Sequence, residues 1–216
     1  MDKPITIYGA AGTGSVPVEA ALTLIGQPYA VIELHTPIAS FRDQLVSINP
    51  MAQVPALILP DGQLMTESSA ILIWLAETHP AARLSPGAMD AARPTFLRWM
   101  AYVSAAIYAL FWVRDAPLRL APDAATAALV KQRTAERIAE CWRVMDAQVS
   151  PGRYILGDVL SVLDLYVTVL SRWGPRRKVF YEVAPKMTEV VRRVDSDPRL
   201  AAFWAERFPF SAGWEG

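Results

Sequence analysis

Residues 53–71 read QVPALILPDGQLMTESSAI, and this stretch decides the fold of the chain. Two short apolar runs flank Asp61-Gly62, a dipeptide that is typical of tight hairpin turns. From about Glu67 to Thr78 the apolar residues recur at helical spacing, which predicts a helix directly after the hairpin. The stretch therefore predicts two antiparallel strands followed by a helix.

The sequence before this stretch predicts a βαβ unit. Ile5–Tyr8 and Tyr29–Glu33 are short β-rich runs, and Val16–Ile25 between them has helical character. Gly26 and Pro28 mark the end of that helix. Two strands joined through a helix are expected to lie parallel with a right-handed crossover. Residues 35–49 are mixed in character and are expected to be partly helical.

The sequence changes character at residues 79–87, which contain two prolines and a glycine and predict a domain boundary. We expect one domain over residues 1–80 and a second over residues 88–216. The second domain has helical periodicity throughout, and its predicted helices are Asp90–Arg114, Asp123–Val149, Ser161–Trp173, Val183–Asp195 and Leu200–Arg207. Strands confined to the first part and helices to the rest predict an α+β chain with segregated layers.

The composition is that of a globular protein and excludes several functional classes. Of the 216 residues 53% are hydrophobic and 19% are charged, and 21 basic side chains balance 21 acidic ones. A net charge of zero argues against a general nucleic-acid or membrane surface. Cys141 is the single cysteine, and the two histidines are not at ligand spacing from it, so we expect neither a disulfide nor a metal site. No signal peptide is apparent, and we expect a soluble cytoplasmic protein.

The Gln53-Val54-Pro55 segment is the first candidate for ligand binding. An X-Pro bond is usually trans, since only about 5–6% of such bonds in folded proteins are cis. In a thioredoxin-like sheet, however, a cis proline is expected at the start of the third strand. The N–H and C=O groups of Val54 would then face outward and could pair with a peptide ligand in the manner of a strand.

The Thr66–Ile71 segment, where strand meets helix, is the second candidate. Its polar residues could serve only as helix caps. Alternatively, the free N–H groups and the positive dipole end of the helix could bind a carboxylate, with Ser68 adding a hydroxyl donor. Glu67 could pair with an ammonium group, and a γ-glutamyl group presents both charges together. The sequence leaves both interpretations open.

The Gly12–Pro17 loop, which enters the first helix, is the third candidate. Ser15 could simply cap that helix. Alternatively, Thr13 or Ser15 could present a hydroxyl to a thiol held at the helix end. A free cysteine thiol has a pKa of roughly 8.5, so a hydroxyl donor together with the helix dipole would favour the thiolate.

These segments resemble motifs of the glutathione-transferase family over about Ile5–Phe208. Residues 49–57 (NPMAQVPAL) are similar to its cis-proline segment, residues 67–71 (ESSAI) to its Glu-Ser-x-Ala-Ile motif, and residues 157–164 (GDVLSVLD) to its buried helix-capping motif. In the last motif Ser161 and Asp164 form an S-x-x-D box, to which we assign a structural role. The resemblance implies a thioredoxin-like N-terminal domain followed by an all-α helical domain.

The resemblance also implies a site and a reaction. Glu67 and Ser68 would hold the γ-glutamyl end of glutathione. Val54, whose backbone the following cis Pro55 turns outward, would pair with the cysteinyl backbone, and Gln53 would contact the glycyl side. A hydrophobic electrophile would lie against the first long helix of the second domain, where the candidate residues are Tyr108, Phe111 and Trp112. The alternative is that some of these aromatic side chains simply belong to the hydrophobic core, as aromatic residues at helical spacing usually do. Glutathione would be a co-substrate, with no further cofactor. The family also implies a cytoplasmic homodimer that acts in detoxification.

The sequence departs from the family pattern at the catalytic position. Bacterial members often place cysteine or serine in the first-helix loop, and the equivalent position here is Gly14. Ser15 is the favoured catalytic residue, ahead of Thr13, and Tyr8 is the remaining hydroxyl. The resemblance to the family makes conjugation of glutathione the leading hypothesis. Binding without useful turnover is the alternative, followed by glutathione-dependent peroxidase or thiol-redox activity, for which only Cys141 offers a thiol.

Overall fold

The N-terminal part of the chain forms a small mixed sheet. The computed structural model describes residues 4–34, 45–173 and 177–209, so most of the mixed segment 35–49 lies outside the described residues. Within these ranges one sheet of four strands runs in the order β2-β1-β3-β4, and its strands are β1 Ile5–Gly9, β2 Tyr29–Glu33, β3 Ala56–Ile58 and β4 Leu64–Met65.

The pairing of the strands confirms the predicted βαβ unit and hairpin. Strand β1 lies parallel to β2, with Ile5 opposite Tyr29, and antiparallel to β3. Strands β3 and β4 are antiparallel, and Gly62 makes their turn with a φ of 91°. This left-handed conformation favours glycine, which explains the Asp-Gly pair in the sequence.

Two helices cover the sheet and border the helical part. Helix α1 spans Val16–Ile25 and ends at Gly26, whose φ of 76° is left-handed, as its place after the helix predicted. Helix α2 spans Ser68–Thr78 and packs against α1. The buried residues of both helices belong to the hydrophobic core that continues into the helical part.

The remainder of the described chain is helical, as the sequence predicted. The first helix there, here called the long helix, runs over Arg93–Asp115 and is interrupted in its middle by a π-helical segment. Its parts and the helices that follow are α3 Arg93–Tyr102, the π segment Val103–Tyr108, α4 Ala109–Asp115, α5 Ala124–Gln148, α6 Val162–Ser171, α7 Lys178–Val183, α8 Pro185–Asp195 and α9 Ala201–Arg207.

The predicted helices of the helical part begin and end within three residues of the observed ones, but one predicted boundary conceals a separate helix. The predicted helix Val183–Asp195 begins two residues later in the structure, because Pro185 occupies the first turn of α8 and Ala184 before it is not helical. A proline at the first turn is favourable for the helix that it begins, and it prevents continuation from the preceding one. Val183 therefore ends the separate helix α7, which the sequence did not predict.

Helix α6 is the centre of the core. All ten of its residues are buried, and it packs against α1 on one side and α8 on the other. The predicted box at its start is confirmed: Asp164 accepts hydrogen bonds of 2.8 Å from the backbone N–H groups of Ser161 and Ile155. Burial raises the pKa of Asp164 to about 6. The box thus fixes the start of a helix that packs against both parts of the chain.

The long helix Arg93–Asp115 is long and apolar enough to span a membrane by length and composition alone. In the structure, however, one of its faces packs against the core, and the buried side chains of that face are Phe96, Trp99, Met100, Val103, Ile107 and Phe111. Its C-terminal end α4 packs against α5. The apolar character of the helix is therefore accounted for in part by packing within the protein.

Candidate active site

The Val54–Pro55 peptide bond is cis and immediately precedes β3, as expected for a thioredoxin-like sheet. The turn before it is held by Asn49, a buried residue whose Nδ2 donates to the Gln53 carbonyl at 2.8 Å. The Oδ1 atom of Asn49 accepts from the Met51 N–H at 3.1 Å. Asn49 was not among the predicted site residues, although it is the first residue of the cis-proline segment 49–57.

The Glu67-Ser68 pair lies where β4 gives way to α2. Glu67 has a φ of 65°, which is uncommon for a residue with a side chain and typically costs about 1–3 kcal/mol. Its side chain is exposed, whereas Ser68 is buried and its Oγ donates to the Tyr166 hydroxyl at 3.1 Å. Neither side chain forms a capping hydrogen bond at the start of α2, so the structure does not support helix capping as their role.

The hydroxyls of Thr13 and Ser15 are directed to the backbone of their own loop. Thr13 Oγ1 donates to the Ala10 carbonyl at 2.7 Å, and Ser15 Oγ donates to the same carbonyl at 3.3 Å. Ser15 is fully buried, and it precedes α1 without making a side-chain cap. A Cβ atom on Gly9 would lie 2.5 Å from Ser15 Cβ, so the serine fills the space beside that glycine.

Gly14 brings the first loop and the cis-proline segment together. A Cβ atom on Gly14 would lie 3.1 Å from the Val54 carbonyl oxygen and 2.9 Å from Tyr108 Cζ. The Tyr108 hydroxyl in turn donates to the Val54 carbonyl at 3.3 Å. Three regions that are distant in sequence thus meet at one point: the first loop, the cis-proline turn and the long helix.

Two aromatic residues outside the predicted set surround Tyr108. The ring of Tyr166 lies 6.1 Å from that of Tyr108, and the ring of Trp173 lies 5.0 Å away, both edge to face. Burial raises the pKa of Tyr108 above its ordinary value and that of Tyr166 to about 12, so both hydroxyls stay protonated at neutral pH. Both residues lie in or at the end of a predicted helix, but periodicity gave no reason to select them.

The other two aromatic candidates of the long helix lie in different surroundings. Phe111 is buried in the core and packs edge to face on Trp173 at 5.2 Å. Trp112 is 39% exposed, and the guanidinium of Arg119 lies 4.6 Å from its ring. The structure thus brings Tyr108 and Phe111 together at Trp173 and places Trp112 beneath Arg119.

The C-terminal helix holds the first loop from behind, a contact that the sequence did not predict. The Gly12 N–H donates to the Arg207 carbonyl at 2.9 Å. The Arg207 side chain donates through Nε to buried Glu19 at 2.6 Å and forms an ion pair with Glu33 at 2.9 Å. Glu33 also accepts from the Ala11 N–H at 3.0 Å.

A thioredoxin-like sheet with a cis proline before its third strand, followed by a helical part, defines the class of proteins with the glutathione-transferase fold. Residues 4–78 match the family model described as "Glutathione S-transferase, N-terminal domain". Among the residues that the structure describes, no group of three histidine, cysteine or acidic side chains could hold a metal ion.

Relatives of known sequence and structure place the chain in a family. It is 30% identical to the uncharacterized GST-like protein YncG of Escherichia coli K12, over 91% of this chain and 95% of that protein. It is 25% identical to the glutathione S-transferase GstA of Escherichia coli O157:H7, over 73% and 75% of the two chains. A glutathione transferase homologue from Sulfitobacter, solved with bound glutathione, superposes with a TM-score of 0.83 at 25% identity, covering 94% of this chain and 97% of the other. The chain belongs to the glutathione S-transferase family.

Proposed function

We propose that this protein is a glutathione transferase that conjugates the thiolate of reduced glutathione to a small hydrophobic electrophile. The observation that carries the proposal is the meeting of the Val54 carbonyl beside cis Pro55, the first loop at Gly14 and Tyr108 of the long helix. Glutathione would bind to the domain of residues 1–80, and the electrophile would bind against the helical domain of residues 88–216.

The two ends of the tripeptide have separate binding groups in this proposal. The exposed Glu67 carboxylate pairs with the γ-glutamyl ammonium, and the N-terminus of α2 with Ser68 binds the neighbouring carboxylate. Val54 pairs with the cysteinyl backbone beside cis Pro55, and Gln53, which is exposed, contacts the glycyl side. These contacts hold the sulfur beside Gly14.

The proposed reaction needs the sulfur as a thiolate. The thiol proton leaves to solvent, and the sulfur lone pair forms a bond to an electrophilic carbon while a leaving group departs with the electrons of its own bond. Holding both reactants in contact and stabilising the thiolate supply most of the rate. The hydroxyl donors proposed from the sequence are Ser15 and then Thr13. Of the aromatic candidates Tyr108 and Trp112 would line the electrophile site, with Phe111 buried against Trp173.

We also propose that the protein is a cytoplasmic homodimer that needs no cofactor beyond its co-substrate. Apolar side chains on the surface of both parts support a self-association surface: Met51 is 68% exposed, and Leu97 on the long helix is 40% exposed. The mass in solution at micromolar concentration tests this proposal. A monomer would contradict it.

Titration calorimetry with reduced glutathione tests the proposed binding site. We expect saturable binding by the wild type and binding weakened about tenfold in Ser68→Ala, since a hydrogen bond to a charged group is lost. Ser69→Ala is the matched control, because Ser69 is the neighbouring serine and has no role in the proposed site. No binding by the wild type at millimolar glutathione would contradict the proposal.

A panel of electrophiles then separates conjugation from binding alone. We expect at least one substrate to be conjugated well above its uncatalysed rate in the presence of saturating glutathione. Tight glutathione binding without turnover of any electrophile or peroxide would instead support a binding protein with a transferase fold.

A further inference from the structure

The Tyr108 hydroxyl occupies the space in which residue 14 would carry a side chain. A Cβ atom on Gly14 would overlap Tyr108 Oη and lie 2.9 Å from its Cζ. Gly14 is not among the glycines with a left-handed backbone, so its conformation does not require glycine. The absence of a side chain at residue 14 is therefore explained by the space that the tyrosine takes.

The surrounding structure holds Tyr108 in this place. Tyr108 is the last residue of the π-helical segment, and such segments are frequent at functional sites. Its ring is packed by the edges of Tyr166 and Trp173. Trp173 also donates through Nε1 to the Gly12 carbonyl at 2.8 Å, which ties the packing around Tyr108 to the first loop.

We propose that Tyr108, and not a hydroxyl of the first loop, donates the hydrogen bond that stabilises the glutathione thiolate. This inference rests on the proposed function. In the structure the hydroxyl donates to the Val54 carbonyl, which is the acceptor that the cysteinyl N–H of glutathione would take. Once that acceptor is taken, rotation about the Cζ–O bond turns the O–H toward a sulfur held beside Tyr108 and the Val54 backbone.

The alternative donors in the first loop are already engaged. Ser15 Oγ and Thr13 Oγ1 lie 3.2 Å apart, and both bond to the Ala10 carbonyl. Ser15 is fully buried beside Gly9, on the side of the loop next to β1. Both hydroxyls would have to leave the Ala10 carbonyl and move to reach a sulfur beside Val54, whereas the Tyr108 hydroxyl already lies at Val54 and Gly14 and needs only to rotate.

The chemical role of Tyr108 is that of a neutral donor. Its surroundings disfavour the phenolate, since burial and the nearby Tyr166 and Glu67 all raise its pKa. A hydrogen bond from a protonated hydroxyl favours the charged form of a thiol and so lowers the thiol pKa. The thiol proton passes to solvent, and Tyr108 neither gains nor loses a proton in the reaction.

The pKa of bound glutathione, followed by the ultraviolet absorbance of its thiolate, tests the inference. In Tyr108→Phe we expect this pKa to rise by about one unit, and kcat/KM below that pKa to fall about tenfold, because one unit is a tenfold loss of thiolate. Below that pKa the dissociation constant for glutathione should change by less than about threefold, since the lost bond acts only on the ionised sulfur.

Two further variants make the test independent of folding defects. Tyr102→Phe is the matched control, because Tyr102 lies on the same helix and donates to the Cys141 carbonyl at 3.0 Å, away from the site. Gly14→Ala retains the tyrosine but displaces its hydroxyl, so we expect it to raise the thiol pKa as Tyr108→Phe does.

The possible outcomes separate this inference from the proposed function. A wild type that does not bind glutathione would overturn both. If the thiol pKa of bound glutathione is the same in Tyr108→Phe as in the wild type, only the inference is overturned. The same holds if this pKa rises in Ser15→Ala and in no other variant. A rise in both Tyr108→Phe and Gly14→Ala, with Tyr102→Phe unchanged, would support it.

Discussion

The indole nitrogen of Trp173 donates a 2.8 Å hydrogen bond to the carbonyl of Gly12, joining residues that are 161 positions apart. This bond links the helical part of the protein to the loop that begins α1. The same indole packs on Tyr108 and Phe111. One side chain thus sets both the position of the first loop and the packing of the long helix.

Trp173→Phe should therefore affect binding as well as stability. The ring packing is largely kept, but the Gly12 carbonyl loses its donor, which should cost about 1 kcal/mol of unfolding free energy. We expect the dissociation constant for glutathione to rise severalfold, because the first loop is less well held. Urea unfolding and calorimetry measure the two effects. Unchanged affinity with reduced stability would show that the bond is structural only.

The ion pair between Arg207 and Glu19 should be important for stability. Glu19 is fully buried, and Arg207→Met would leave its charge without this partner, which typically costs about 3–5 kcal/mol. Arg133→Met is the matched control, because Arg133 is 71% exposed and its pair with Glu136 should contribute about 0–1 kcal/mol.

The comparison is made by urea unfolding of the wild type and both arginine variants. A double variant with Glu19→Gln should recover part of the loss, since it removes the buried charge. Equal stability of Arg207→Met and Arg133→Met would contradict the prediction.

The buried Asp164 should give stability a specific dependence on pH. Its pKa is raised by burial to about 6 in the folded protein, so between the unfolded pKa near 4 and about 6 the folded state binds more protons. Stability contributed by this group is therefore fully present below pH ~4 and declines as the pH rises through ~6.

The measurement compares the wild type with Asp164→Asn by urea unfolding at several values between pH ~4 and ~7. The variant should be less stable throughout, because an amide cannot accept all the hydrogen bonds of the box. The difference between the two proteins should nevertheless narrow as the pH rises. A difference that widens with pH would show that the donors to the carboxylate, the N–H groups of Ser161 and Ile155 and the Ser161 hydroxyl at 2.7 Å, outweigh its burial.

Gly9 at the end of β1 and Gly87 should differ in their tolerance of a side chain. In Gly9→Ala the new Cβ overlaps Ser15, and we expect a loss of about 1–3 kcal/mol from overpacking. Gly87→Ala is the matched control, since no atom lies within 4 Å of its added Cβ and its backbone is not left-handed. Thermal unfolding of the two variants tests this, and equal melting temperatures would contradict it.

The turns and helix ends around the site could be predicted from local sequence rules. The Asp61-Gly62 turn, the left-handed Gly26 and the Ser161–Asp164 box each depend on neighbouring residues, and the structure confirms all three. The cis bond before Pro55 was predicted from the fold class, because the local base rate favours trans.

The interior of the site could not be predicted in the same way. The contact of Tyr108 with Val54 joins residues 54 positions apart, and it depends on a π-helical segment that helical periodicity does not reveal. The bond from Gly12 to Arg207 and the packing of Trp173 likewise exist only once the two parts of the chain are docked. Such contacts carry no pattern within a short window of sequence.

The π-helical segment Val103–Tyr108 determines where the second half of the long helix points its side chains. Each α-helical residue turns the chain by about 100°, whereas residues in the wider π turn rotate it by less, so the same residues wound as a regular α-helix would place Tyr108 at a different angle to Trp99. Tyr108 would then leave Gly14 while the packing of Trp99 stayed as it is. The contact between Tyr108 and Gly14 therefore depends on the wide turn as much as on the identity of the tyrosine.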